Sequence, residues 1–193
     1  LCCNTAAGGR DFSRRPRMGE GNSGRPAETG TRHGTRHPIL RAKVAVDLKR
    51  VVSNDGLAVA MDPLNALVEL ERFGIQPGLN TIRNLTAALG EPQTAYQSII
   101  VAGSNGKGSV VAMVDQALRS AGYRVGRYTS PHLTSLTERF VVDGKQIQYQ
   151  ELKTGAQQLF SKVNRLLSEG SLSQPPTFFE ATTAIALSWF RKT

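Results

Sequence analysis

Seven consecutive residues, Gly103-Ser104-Asn105-Gly106-Lys107-Gly108-Ser109, combine small residues, one amine and hydroxyls in a stretch short enough to close around a single ligand. Glycine lets a backbone approach closely and take positive φ, so successive N–H groups can converge on one anion. The Lys107 ammonium is a point charge suited to β and γ phosphates, and the Ser109 hydroxyl can reach a phosphate or a magnesium ion. An ordinary glycine-rich turn explains Gly103, Gly106 and Gly108 but not a lysine at a helix start, where its charge opposes the helix dipole. The pattern also departs from G-x-x-x-x-G-K-[ST], because Gly108 follows the lysine and the hydroxyl comes one place later. A generic GTPase or motor ATPase is therefore disfavoured, and a phosphate is the expected ligand.

A phosphate loop needs a strand before it and a helix after it. Ser98 to Ala102 is a short apolar run entering the glycines, and Val110, Met113, Val114, Ala117, Leu118 and Ala121 follow at helical spacing. Tyr123 to Tyr128 reads as the next strand, and the strand-helix-strand order predicts a parallel pair with a right-handed crossover. The expected fold is thus α/β, a P-loop-type nucleotide-binding domain on a parallel sheet.

Upstream, Asp62 as cap and Pro63 at the first helical position open a short helix with Leu64, Leu67 and Val68 on one stripe, ending near Gly74. A second helix is expected from Asn80 through Ile82, Leu85 and Leu89, stopped by Gly90 and Pro92. Downstream, Asp143-Gly144 between Arg139–Val142 and Gln146–Gln148 is a hairpin signal. A helix carrying Leu152, Ala156, Leu159, Phe160, Val163 and Leu167 follows, broken between Gly170 and Pro176, and Thr177 opens a last helix with apolar residues around it.

Two further clusters carry polar groups whose spacing alone does not assign chemistry. Ser130-Pro131 reads as a strand end and turn, with His132 at the surface or hydrogen-bonded. Thr177-x-x-Glu180 matches the capping box, in which each side chain satisfies the other's backbone donor.

Charge is distributed unevenly. Residues 1–60 hold eleven Lys/Arg against five Asp/Glu, a net +6 of the chain's +9, with Phe12 as the one aromatic. The high isoelectric point belongs mostly to this leader, and neither basic residues interleaved with aromatics nor a folded basic face points to nucleic acid. From Gly8 to Thr35 the chain is Gly-, Arg-, Ser- and Pro-rich with little to bury, so disorder is expected. A transit peptide is disfavoured by Asp11, Glu20 and Glu28, and the leader reads as upstream sequence ahead of a native start at Met61.

Cys2 and Cys3 both lie in the leader, which fits a reducing cytoplasm, and no apolar run approaches the ~18 to 20 residues of a membrane span. Residues 61–193 are expected to form the N-terminal part of a larger ATP-binding domain, because the chain stops within a helical pattern with two strands of the sheet in hand.

The motif V-A-G-S-N-G-K-G-S, followed by Tyr128-Thr129-Ser130-Pro131-His132-Leu133 and Glu138-Arg139-Phe140, resembles folylpolyglutamate synthase/dihydrofolate synthase, of the Mur ligase superfamily. The resemblance runs from about Met61 to Thr193 and includes Gly74 to Leu79 and Thr177-Phe178-Phe179-Glu180. Ser104 stands where that family usually has threonine, which keeps the hydroxyl.

The resemblance implies that Gly103, Ser104, Asn105, Gly106, Lys107, Gly108 and Ser109 hold ATP, with Lys107 catalytic, and that Ser130 ligates Mg2+. It places the pterin of a folate or dihydropteroate against Gln76, Pro77, Gly78, Leu79, Thr177, Phe178, Phe179 and Glu180. The implied reaction joins L-glutamate to that substrate's carboxylate through an acyl phosphate, by a monomer with no nucleic-acid or membrane partner. Further magnesium ligands and the family's C-terminal domain lie past Thr193, so the chain by itself is expected to be inactive. The rival readings are a UDP-muramyl amino-acid ligase, which Thr-Ser-Pro-His-Leu and Thr-Phe-Phe-Glu argue against, and a non-catalytic nucleotide- or RNA-binding module.

Overall fold

The computed structural model describes residues 61–193 and, as backbone, a strand at residues 2–6. The expectations of a disordered leader and of a native start at Met61 fall mostly on residues outside those described. Within the leader, Cys2–Ala6 forms strand β1.

Asp62 caps helix α1 (Pro63–Glu69), its carboxylate accepting from the Leu64 N–H at 2.9 Å, and a 3-10 turn (Leu70–Phe73) carries the chain to Gly74. Leu64, Leu67 and Leu70 are buried, whereas Val68 is exposed. Helix α2 (Asn80–Ala88) starts with Leu79, not Asn80, in the cap position, and no side chain caps it.

Strand β2 (Gln97–Ile100) leads through the glycine loop into helix α3 (Lys107–Ser120), and β3 (Arg124–Tyr128) follows. Strands β4 (Phe140–Val142) and β5 (Lys145–Gln146) form the expected hairpin, with Asp143 at φ 50° and Gly144 at φ 79°, a pair of left-handed residues that matches the twist of the strands they join. Helices α4 (Tyr149–Ser168) and α5 (Phe178–Lys192) complete the described chain.

The sheet differs from the expected parallel pair. Its order is β2-β1-β3-β4-β5, and every hydrogen-bonded neighbour is antiparallel. Strands β2 and β3 do run the same way, but β1 lies between them, so they are next-nearest neighbours. Placing β1 there satisfies the facing backbone donors and acceptors of both. Cys2 pairs with Ile100 on one side and with Tyr128 on the other, so the last residues of β2 and β3 are level. The loops that follow these strands therefore leave the same end of the sheet, two strand spacings or ~10 Å apart.

One core layer forms where α3 lies on β3, with Val111 and Val125 buried among Val101, Val114, Leu118 and Tyr123. A larger one forms where α4 presents Leu152, Ala156, Leu159, Phe160 and Val163 towards α1 and α5. Strand β2, read from sequence as a short apolar run, is exposed along its length, with Ile100 74% accessible.

Candidate functional site

The glycine loop occupies the predicted strand-to-helix junction. Gly106 is the helix cap at φ 74° and Gly103 sits at φ 149°, conformations in which a β-carbon is strained. Lys107 is the first residue of α3, and its ammonium turns back to donate to the Gly103 carbonyl at 2.5 Å and the Ser104 carbonyl at 3.0 Å. The amine thus lies over the loop at an exposed helix N-terminus whose first-turn N–H groups have no intrahelical acceptor. No acidic side chain stands in that first turn to oppose an anion.

Ser130, two residues past β3, emerges at the same end of the sheet. Its hydroxyl accepts from Arg139 Nη1 at 3.2 Å, and Arg139 Nε donates to His132 Nδ1 at 2.9 Å. Because an arginine Nε–H can only donate, the accepting Nδ1 carries no proton and a neutral His132 bears it on Nε2. The turn is shaped by Glu138, whose carboxylate accepts from the N–H groups of Leu133 (2.9 Å), Ser135 (2.9 Å) and Thr134 (3.1 Å). Those donors, Leu133 and Ser135 foremost, hold the Glu138 carboxyl below its ordinary range.

Magnesium does not find a complete site in these residues. Ser130 offers one neutral oxygen, already facing a guanidinium, and among the described residues there is no group of three or more His, Cys, Asp and Glu side chains able to hold a metal ion.

A cavity of about 410 Å³ is lined by Gln76, Gly78, Leu79, Thr177, Phe179 and Glu180, six of the eight residues expected at a pterin site, with Gly74, Ile75, Ile82 and Thr183. Its walls are apolar and open: Phe179 is 54% and Ile75 98% accessible. The Gln76 side chain is held at the edge by a 2.6 Å hydrogen bond from Gln174. Pro77 and Phe178 do not line it. Successive helical residues point about 100° apart, so Phe179 faces the cavity while Phe178 turns inward beneath the Arg139 guanidinium, 4.9 Å from its ring centroid.

The capping box at α5 is also present. Thr177 N–H donates to Glu180 at 2.8 Å and Glu180 N–H to the Thr177 hydroxyl at 3.2 Å. Structural capping and a place on the cavity wall are therefore compatible for these two residues. The Phe179 ring lies 6.3 Å from that of Tyr128, the last residue of β3, which brings the cavity to the sheet end from which the glycine loop departs.

A second cavity, about 320 Å³, opens between α4 and α5 around Thr154, Gln158, Ser188 and Lys192, and none of the candidate binding or catalytic residues lines it. The sequence pattern did not single out the buried placement of Arg139. The available signal was an arginine directly before the apolar pair Phe140-Val141.

A glycine loop closed by its own lysine at a helix N-terminus and an apolar cavity thus share one end of the sheet in a mixed α/β unit. No protein-family model matches the chain. A curated Haloferax volcanii protein, described as a probable bifunctional folylpolyglutamate synthase/dihydropteroate synthase, is 41% identical over 67% of this chain and 15% of its own length. The solved folylpolyglutamate synthase of Thermotoga maritima is 37% identical with a TM-score of 0.60, covering 67% of this chain and 30% of that one. The Mycobacterium tuberculosis folylpolyglutamate synthase complexed with ADP is 35% identical with a TM-score of 0.59, covering 68% and 30%. Over about two thirds of its length the chain is thus a relative of the folylpolyglutamate synthases, and it spans well under half of each of those proteins. Among the described residues, no helix is long and apolar enough to cross a membrane.

Proposed function

We propose that this chain provides the phosphate loop and the pterin-binding wall of an ATP-dependent ligase that joins L-glutamate to the carboxylate of a folate or dihydropteroate. The observation that supports this reading is the position of the closed glycine loop and the Phe179 cavity at one end of a single sheet. That arrangement suits a reaction in which a phosphoryl group meets a carboxylate on an aromatic acid.

In this reading the Lys107 ammonium exchanges its two loop carbonyls for the oxygens of the ATP phosphates, and the N–H groups at the start of α3 add to that charge neutralisation. Phe179 and Leu79 hold the flat ring, fixing the direction in which the carboxylate points. A carboxylate oxygen attacks the γ-phosphorus as the bond to ADP breaks. The glutamate amine then attacks the acyl-phosphate carbon, loses a proton and expels phosphate, leaving an amide. Magnesium, expected beside the phosphates, would need ligands in addition to Ser130.

Titrating the chain by calorimetry with ADP, dihydropteroate and a UDP-muramyl acceptor tests the reading. ADP binding lost in Lys107→Ala and pterin binding weakened in Phe179→Ala are expected. Binding of the muramyl compound without the pterin would overturn the substrate assignment.

A further inference from the structure

Arg139 is 5% accessible, yet among the described residues no carboxylate lies within ion-pair distance of it. A buried guanidinium without a counter-charge is costly unless its donors are satisfied and its plane is packed. Here three groups from two segments, the turn after β3 and the start of α5, bond two of its nitrogens and cover its face. Nε donates to His132, Nη1 donates to Ser130, and the plane packs against the ring of Phe178, the first residue of α5. The backbone contributes as well, since the Arg139 carbonyl accepts from the Thr129 N–H at 3.0 Å. The residues so held, Ser130 and His132, flank Pro131 in the turn that leaves the sheet level with the glycine loop.

We propose that Arg139 is a positioning residue for the nucleotide end of the site: it fixes the Ser130–His132 turn beside the phosphate loop and ties that turn to the helix that carries the cavity wall. The proposal rests on the reading of the glycine loop as a nucleotide site. The arrangement depends on the fork and the flat face of arginine. Lysine has the same charge but one nitrogen, and cannot reach His132 and Ser130 together while stacking on Phe178.

Two measurements on the 193-residue chain test this. In a nitrogen-proton correlation spectrum the Arg139 Nε–H should be protected from solvent exchange, and His132→Ala should abolish that protection. In calorimetry Arg139→Lys should bind ADP roughly tenfold more weakly than the wild type, the scale expected when a charge-assisted hydrogen bond is lost, with a native circular dichroism spectrum. An unprotected Nε–H, or ADP affinity in Arg139→Lys equal to wild type, would overturn the assignment. Should Arg139→Lys fail to fold, Ser130→Ala and His132→Ala, each removing one acceptor, must weaken ADP binding, and unchanged affinity in both would sink it. A wild-type chain with a protected Nε–H but no affinity for ADP would overturn the nucleotide reading while leaving the held turn established.

Discussion

The phenol of Tyr128 and the hydroxyl of Thr182 lie 2.7 Å apart, both buried, joining the end of β3 to the second turn of α5. Thr182 has one hydroxyl proton, and it is directed to the Phe178 carbonyl at 2.8 Å, so Tyr128 is the donor to Thr182. This bond, with the Phe179–Tyr128 ring contact, joins the cavity-bearing helix to the end of the sheet from which the glycine loop departs.

Tyr128→Phe removes the donor and leaves Thr182 its bond to Phe178, so a loss of about 0.5–1.5 kcal/mol is expected. Thr182→Val strands the buried phenol and should cost more, about 1–3 kcal/mol. Urea unfolding of the two variants checks the order, and equal losses would contradict the assigned donor.

Replacing Lys107 with alanine should reduce ADP affinity by a factor corresponding to about 1.5–3 kcal/mol, the value of a hydrogen bond to a charged group, with little change in melting. Gly106→Ala acts differently. A β-carbon there meets nothing within 4 Å, so the expected cost of about 1–2 kcal/mol is the backbone strain of φ 74°. Calorimetry and thermal melts on both variants separate charge from conformation.

Phe179→Ala should weaken binding of a pterin acid by about 0.5–1.5 kcal/mol, the scale of an aromatic pair, while leaving ADP affinity and fold intact, because this ring is half exposed. Phe178→Ala removes a buried ring under Arg139 and should cost stability of about 3–5 kcal/mol. The contrast between adjacent phenylalanines is read by binding in one case and unfolding in the other.

Asp62 and Lys153 pair at 2.6 Å, fastening the start of α1 to α4. The hydrogen bond from Lys153, aided by the Leu64 N–H, holds the Asp62 carboxyl below its ordinary value of 3.8, and Asp62 holds Lys153 above 10.5. The unfolded chain therefore takes up the Asp62 proton first on acidification. The stability from Asp62 is present above pH ~4 and is lost as pH falls through the depressed folded value, whereas that from Lys153 is lost as pH rises through its raised one. Asp62→Asn should weaken the acid-limb dependence, leaving the part due to Glu138, yet keep the cap, while Asp62→Ala should lose a further ~1 kcal/mol of helix capping. Melting temperature against pH for the two variants checks both.

The elements of this protein were legible in its sequence because their causes are local. Asp62-Pro63 opens α1, Asp143-Gly144 turns the hairpin, and a period near 3.6 marks α3, α4 and α5. The glycine loop was legible for the same reason, since Gly103, Gly106 and Lys107 act within one turn of each other.

What the chain order could not reveal was pairing between distant segments. Strand β1 stands between β2 and β3 and pairs antiparallel with both, a matter of which residues 90 and more positions apart satisfy each other's backbone groups. Helical phase together with tertiary packing divided Phe178 from Phe179, sending one under Arg139 and the other to the cavity. The burial of Arg139 likewise depends on three segments meeting, because the apolar pair that follows it hints at burial but does not reveal the histidine, serine and aromatic face that hold it. By itself the sequence determined the local turns, helices and glycine loop, and only the tertiary structure decided which of their side chains come together, because local conformation follows from neighbours along the chain while burial and partnership follow from neighbours in space.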